Sequence, residues 1–245
     1  THLAVAEEGT KVAMLKTGEL DVAKVQVDSV RDLEAAGLRL MKYVGDSQST
    51  VWLFYDVDHP EKYALGDVRV RKALSLAIDR KEMANTLFRG YAEPSVLWFV
   101  RSTAFFFDPN VLKPDPYDPE GAKKLLAEAG YANGFDMKMW DRVGYGETTY
   151  DQAVSGYFRK VGVRADLTPI DFNVFRTWFS PKHMPEIWGT AYGMIAQGQG
   201  MQFEKMLNAY HSTKGSPKNL KNPKLDELIE KVPNIADPTE KKRVA

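Results

Sequence analysis

The chain has 245 residues, 44% of them hydrophobic, with 33 basic and 33 acidic side chains and no cysteine. A chain of this size can bury one or two cores, and its balanced charge provides no electrostatic footprint for nucleic acid or an anionic membrane. The missing thiols exclude disulfides, thiolate metal sites and cysteine nucleophiles, and no apolar run approaches the length of a bilayer-spanning helix.

In chain order, strands are expected at Leu38–Tyr43 and Thr50–Val57. The segment from Asp67 to Pro94 then reads as two helices in tandem. Val70, Ala73, Leu74, Ala77 and Ile78 recur at i, i+3, i+4, i+7 and i+8, one apolar helical face. Asp79 precedes Glu82 by three residues, as in a capping box, and Met83, Ala84, Leu87 and Phe88 form the next face before Gly90 stops it. A further helix starts at Asp118, with Pro119 at its first turn and Ala122, Leu125, Leu126 and Ala129 facing a core; Gly130 supplies its end.

A βαβ unit follows. Phe135, Met137 and Met139 alternate with Asp136 and Lys138; residues 148–161 present Ala153, Val154, Tyr157, Phe158 and Val161 on one face; Val163, Ala165 and Leu167 alternate with Arg164 and Asp166. Strand, crossover helix and strand of these lengths imply parallel pairing with a right-handed connection. Another strand is expected at Glu186–Tyr192, then a glycine-rich loop from Gly193 to Phe203. Asp237-Pro-Thr-Glu240 is a fresh helix start close to the last residue, which suggests a piece of a longer protein.

Four of these segments carry a resemblance. Val68 to Ser95 ("VRVRKALSLAIDRKEMANTLFRGYAEPS") resembles the signature of solute-binding proteins of ATP-binding-cassette importers, of the peptide, nickel and oligosaccharide class. Tyr117 to Gly134, Leu15 to Ala23 and Asn222 to Ile229 are similar to further segments of that family and occur in its order. The resemblance implies an α/β fold, a type II periplasmic-binding-protein lobe with a mixed, mostly parallel sheet flanked by helices. It implies that residues 1–245 are the second, C-terminal lobe of a two-lobed protein whose first lobe lies outside this chain. The implied function is capture of a peptide- or oligosaccharide-sized solute between two lobes and its delivery to a membrane permease. The implied location is periplasmic or extracellular, with a lipid anchor on the full-length protein one way of holding it there. A monomer with no cofactor and no bound metal is expected.

In open α/β sheets ligands lie beyond the carboxyl ends of the strands. That rule selects the loop after Trp140, the turn at Asp171 and the loop after Tyr192. The candidate ligand-binding residues are Arg142 and Tyr145 after the first of these strands, Trp188, Tyr192, Gln197 and Gln199 around the last, and Trp98 and Phe99, whose segment the resemblance places at the border of the cleft. Several have a plainer reading: Trp188 as core, Trp98 and Phe99 as core, Arg142 as a solvated loop cation, and the glycines around Gln197 as a turn. Peptide-binding members of the resembled family commonly carry an acidic run where this chain has Gln197, Gln199 and Gln202. A buried ammonium needs a carboxylate partner, whereas glutamine suits hydroxyls and amides, so a neutral, sugar-like solute is favoured over a peptide.

The four histidines are scattered and none has metal-ligand spacing. Asp141 and Glu147 are the one carboxylate pair that could serve a glycoside hydrolase. That enzyme, and a ligand-sensing module without transport, are the competing function classes.

Overall fold

A computed structural model describes residues 3–5, 7–41, 47–95, 110, 113–142, 148–178, 182–197, 221–237 and 239–240. Contacts divide the chain into two units, Thr1–Gly45 with Glu82–Glu93, and Asp46–Lys81 with Pro94–Ala245.

In the first unit, helix α1 (Glu8–Thr17) is capped by the Glu7 side chain, which accepts from the N–H groups of Gly9 and Thr10, and ends at Gly18 in the left-handed region. Helix α2 (Val30–Ala35) follows a short 3-10 turn. The two helices are tied by Glu8, whose carboxylate accepts from the Gln26 N–H and the Ser29 hydroxyl, and by the Lys16–Asp32 ion pair at 2.6 Å. The strand expected at Leu38–Tyr43 is absent over its described residues, 38–41; residues 42 and 43 lie outside the described residues. The cause is local: the Leu38 N–H closes the end of α2 on the Leu33 carbonyl at 3.1 Å, so it is not available to a ladder.

Among the described residues, the second unit holds a four-stranded sheet, its strands lying side by side in the order first, fourth, second, third. Strand β1 (Ser47–Leu53) pairs antiparallel with β4 (Ala191–Gln197), and β2 (Phe135–Arg142) pairs parallel with both β4 and β3 (Val163–Ile170). The sheet is therefore mixed and mostly parallel, as expected. β1 starts and ends earlier than the expected Thr50–Val57, although Phe54 still exchanges backbone hydrogen bonds with Gly189 and Thr190.

Helix α3 (Val68–Leu76) is capped by Asp67 and buries Val70, Ala73 and Leu74, with Ala77 just past its end. It packs on α5 (Pro119–Glu128), which buries Ala122 and Leu126. Between them in sequence, α4 (Arg80–Thr86) follows Asp79 and crosses the boundary of the two units. The Asp118 carboxylate accepts from the Gly121 N–H at 2.8 Å at the start of α5. Asp118→Ala is expected to lower stability by about 1 kcal/mol, read as a fall in urea midpoint with unchanged slope; an unchanged midpoint would refute the capping role.

Helix α6 (Thr148–Lys160) covers one face of the sheet with Val154, Tyr157 and Phe158, all buried. Ser155 donates to the Ala165 carbonyl at 2.7 Å, which ties the helix to β3. β2 and β3 point Met137, Met139, Val163 and Ala165 into this layer and keep Asp136, Lys138, Arg164 and Asp166 exposed on the other face, the period-two alternation of a half-buried pair. Short helix α7 (Phe172–Thr177) packs over the carboxyl-terminal part of that other face, and α8 (Pro223–Lys231) lies later in the chain.

Two expectations near β4 are corrected. Met184–Ile187 form a 3-10 turn and Gly189 is left-handed (φ 83°), so the strand begins at Ala191, not Glu186. Gly193 to Gln197 lie within β4, not in a loop. Gly193 is there because a Cβ at that position would meet the Asp151 carboxylate of α6 at 1.6 Å; a glycine inside a strand marks a close approach, not a turn.

Candidate ligand-binding site

β2 carries the site through the alternation of its last residues. Asp141 turns toward α6, where the Thr148 hydroxyl donates to both of its carboxylate oxygens at 3.0 and 2.9 Å. Trp140 and Arg142 turn to the opposite face, under α7. Asp171 ends β3 and caps α7, its Oδ1 accepting from the Asn173 N–H at 2.8 Å and the Val174 N–H at 3.4 Å. That cap places Phe172 beside the end of β2, and the Arg142 guanidinium lies 5.1 Å from its ring centroid.

The layer beneath is aromatic. Phe54, Ile170, Phe175, Trp178, Met184, Ile187 and Tyr192 form a buried cluster, with Trp52, Trp140 and Phe172 packed partly exposed against it. Trp140 meets Trp178 at 4.7 Å and Phe175 meets Tyr192 at 4.2 Å between centroids. The Trp140 indole N–H donates to Thr190 Oγ1 at 2.9 Å, and the Thr190 hydroxyl donates on to the Ile187 carbonyl at 2.6 Å, so the indole is held at one orientation. The result is a rigid, half-exposed aromatic floor with a guanidinium at its rim. Such a surface can grip the carboxylate of a solute while its apolar parts stack on the rings.

Of the candidates named from sequence, Arg142 is at this rim. Tyr192 is fully buried, its ring part of the cluster under the floor. Trp188 is half-buried beside Tyr63, 6.2 Å between centroids, and is not a member of the cluster. Gln197 ends β4, paired with Ser47, but its side chain lies outside the described residues, as do Trp98, Phe99, Tyr145 and Gln199. Glu147 is also outside them, and Asp141 is engaged by α6. Sequence reasoning missed Trp52, Trp140 and Phe172, which pack on the cluster, and Arg176, whose guanidinium lies 5.8 Å from the Phe172 ring centroid. The signal for Trp140 and Phe172 was present: both stand beside the loop and the turn that the strand-end rule selects.

Electrostatics elsewhere in this unit are structural. The half-buried Asp115 carboxyl is raised by burial, but hydrogen bonds from Lys72 and Ser75 outweigh this and hold it below the usual carboxylate range. Burial lowers the Arg80 guanidinium, whose hydrogens go to the Ser75 carbonyl and hydroxyl. Burial pushes the Tyr150 phenol well up, so it stays neutral. Among the described residues, no three His, Asp or Glu side chains gather as metal ligands.

A family model for bacterial extracellular solute-binding proteins, family 5 Middle, matches residues 1–219. The chain is 32% identical over 174 residues to the glutathione-binding protein GsiB of Escherichia coli K12, covering 70% of this chain and 32% of that protein. Its fold resembles NikZ of Campylobacter jejuni, solved with Ni(L-His), at TM-score 0.76 and 17% identity, covering 98% of this chain and 50% of NikZ. It also resembles DppA of Helicobacter pylori, solved with the peptide STSA, at TM-score 0.73 and 18% identity, covering 98% and 46%. At such identities the two structures speak to the fold. The chain spans about a third of the length of the curated relatives it matches and about half that of the solved chains.

Proposed function

Since this chain belongs to the bacterial extracellular solute-binding proteins of family 5, we propose that it is the second lobe of a solute-binding component of an ATP-binding-cassette importer. It grips a small carboxylate-bearing solute, of peptide or metal-chelate size, over the carboxyl ends of its strands. The observation that carries this reading is Arg142, set at the end of the central parallel strand and braced on Phe172. A guanidinium offers a planar fork that matches a carboxylate, and stacking on a ring leaves that fork preorganised. The names of the relatives (glutathione, a peptide, nickel with histidine) fit a carboxylate better than a neutral solute.

The working protein closes two lobes over the solute by a hinge motion selected by contacts to both, then presents it to a membrane permease. No bond is made or broken. Its place is periplasmic or extracellular; no described helix is long and apolar enough to cross a membrane. A monomer suffices for this role.

A neutral oligosaccharide is the second reading, and the glutamines favour it: Gln197, Gln199 and Gln202 offer no charge for a peptide ammonium. Against it, none of the three relatives is named for a sugar.

A thermal-shift screen of the protein at the full length of its relatives decides between them. The probes are glutathione, di- to pentapeptides, nickel with histidine, and oligosaccharides. A solute present at 100 times its Kd stabilises the native state by about 2.7 kcal/mol, so the expected result is a clear rise in Tm with peptides, glutathione or the nickel chelate. A rise with sugars alone would replace this ligand assignment with the second reading. No rise with any probe would overturn solute capture itself.

A further inference from the structure

Thr190 is the residue immediately before β4 and is buried, 8% exposed. Its backbone is fixed on both sides: the N–H donates to the Ile187 carbonyl at 3.2 Å, and the carbonyl accepts from the Phe54 N–H at 2.9 Å. The hydroxyl hydrogen goes to the same Ile187 carbonyl at 2.6 Å, which leaves the oxygen lone pairs for the Trp140 indole N–H at 2.9 Å. An indole nitrogen only donates, so the chain runs one way, from Trp140 through Thr190 to Ile187.

The other contacts hold the Trp140 ring in place without choosing its orientation. Trp178 packs on it at 4.7 Å and 54° between planes, and the Lys138 ammonium lies 5.6 Å from the ring centre. A half-turn about χ2 keeps the indole near the same plane and carries its N–H to the opposite edge, and that torsion is roughly two-fold. The Thr190 oxygen separates the two orientations, because only one of them makes the hydrogen bond. In that one, the single polar atom of the Trp140 side chain is bonded to a buried partner, and the partly exposed ring shows hydrocarbon. Phe172, partly exposed beside Arg142, has no polar side-chain atom at all.

We propose that Thr190 is a positioning residue for solute binding: it turns the Trp140 N–H inward, so that the floor receives an apolar side chain of the solute. The proposal rests on the strand-end reading of the site and adds to it the class of group that lies beside the carboxylate. A ring already locked by its supporting hydrogen bond does not have to be ordered when the solute arrives. An apolar group laid on it leaves water at a gain, whereas a polar group there gives up water and finds no donor in return.

The test is a double-mutant cycle read by calorimetric titration of the protein at the full length of its relatives, with the tripeptides Ala-Ala-Leu and Ala-Ala-Ser as probes. The parent is expected to bind Ala-Ala-Leu about tenfold more tightly than Ala-Ala-Ser, the worth of a partly buried aliphatic side chain. Thr190→Val keeps the size and branching but cannot accept, and it should weaken Ala-Ala-Leu by about fivefold, the worth of one net hydrogen bond. Thr190→Ser keeps the hydroxyl and should restore most of that loss. In a Trp140→Phe background there is no N–H to orient, so Thr190→Val should cause no further loss. An equal loss in both backgrounds would make Thr190 a structural residue only, and no preference for leucine in the parent would remove the apolar subsite; either overturns the proposal while leaving solute capture standing. Failure of both tripeptides to bind the parent overturns it too, and the thermal-shift screen then shows whether solute capture has failed with it.

Discussion

Gly134→Ala should be among the most damaging single substitutions in this chain, costing about 3 kcal/mol or more. Gly134 has φ 71°, and a Cβ there would sit 1.8 Å from the Gly162 carbonyl oxygen and 2.4 Å from its carbon. The obstruction is backbone against backbone, so no rotamer change relieves it. Gly162 is itself left-handed, at φ 92°. The two glycines stand immediately before Phe135 and Val163, the first paired residues of β2 and β3, so their close approach starts the parallel ladder. A loss of this size lowers Tm by roughly 6–12 °C in a chain this long. Gly156→Ala is the matched control: nothing lies within 4 Å of a Cβ at that helical position, and alanine should raise stability by up to about 1 kcal/mol through helix propensity. Thermal unfolding followed by circular dichroism reads both, and a Gly134→Ala protein melting within about 2 °C of the parent (the low end of the Tm shift of a 1 kcal/mol change) would show that the turn has room to move.

Tyr192→Ala should cost about 3–5 kcal/mol, the usual range for emptying an aromatic core position. Tyr192 is 0% exposed, with Phe175 packed on it at 4.2 Å, and it lies in β4 between Trp52 of β1 and Trp140 of β2 in the ladder. Its ring supports the floor of the site from below. Tyr192→Leu keeps most of the apolar volume, so solute affinity should stay within a few-fold while Tm falls. Trp140→Leu should do the reverse, weakening solute binding more than it lowers Tm, because Trp140 is partly exposed at the floor. Loss of binding in a folded Tyr192→Leu protein would make Tyr192 a solute contact and would move the floor of the site.

Much of the architecture is legible in the sequence alone. The βαβ unit from Phe135 to Ile170 follows from period-two alternation on both sides of a 3.6-period helix, and the structure pairs those strands in parallel. Asp118, Pro119 and Gly130 mark the ends of α5 as caps do. Local rules failed at two places, one decided by a local hydrogen bond and the other by a distant partner. Residues 38–41 alternate as a strand would, yet a strand needs a neighbour and the Leu38 N–H is already bonded to α2. Gly193 reads as a turn residue until Asp151 is seen lying against it.

The site divides in the same way. Arg142 could be nominated because strand direction alone places it at a carboxyl end, where α/β sheets bind ligands. That Trp140 stays partly exposed while Tyr192 is fully buried is decided by what packs on each, Trp178 against Trp140 and Phe175 against Tyr192. Arg176 could not be found from sequence. It lies thirty-four positions beyond Arg142, and only the turn at Asp171 brings both to one ring.

The sequence by itself determined the family, the crossover unit and the helix caps, and it nominated a strand end for a ligand, because these depend on short-range periodicity, backbone propensity and a recurring wording. Only the tertiary structure decided which aromatics are buried, why Gly193 has no side chain and which two cations share a ring, because burial and pairing are properties of what packs against a residue, and that partner stands far away in the chain.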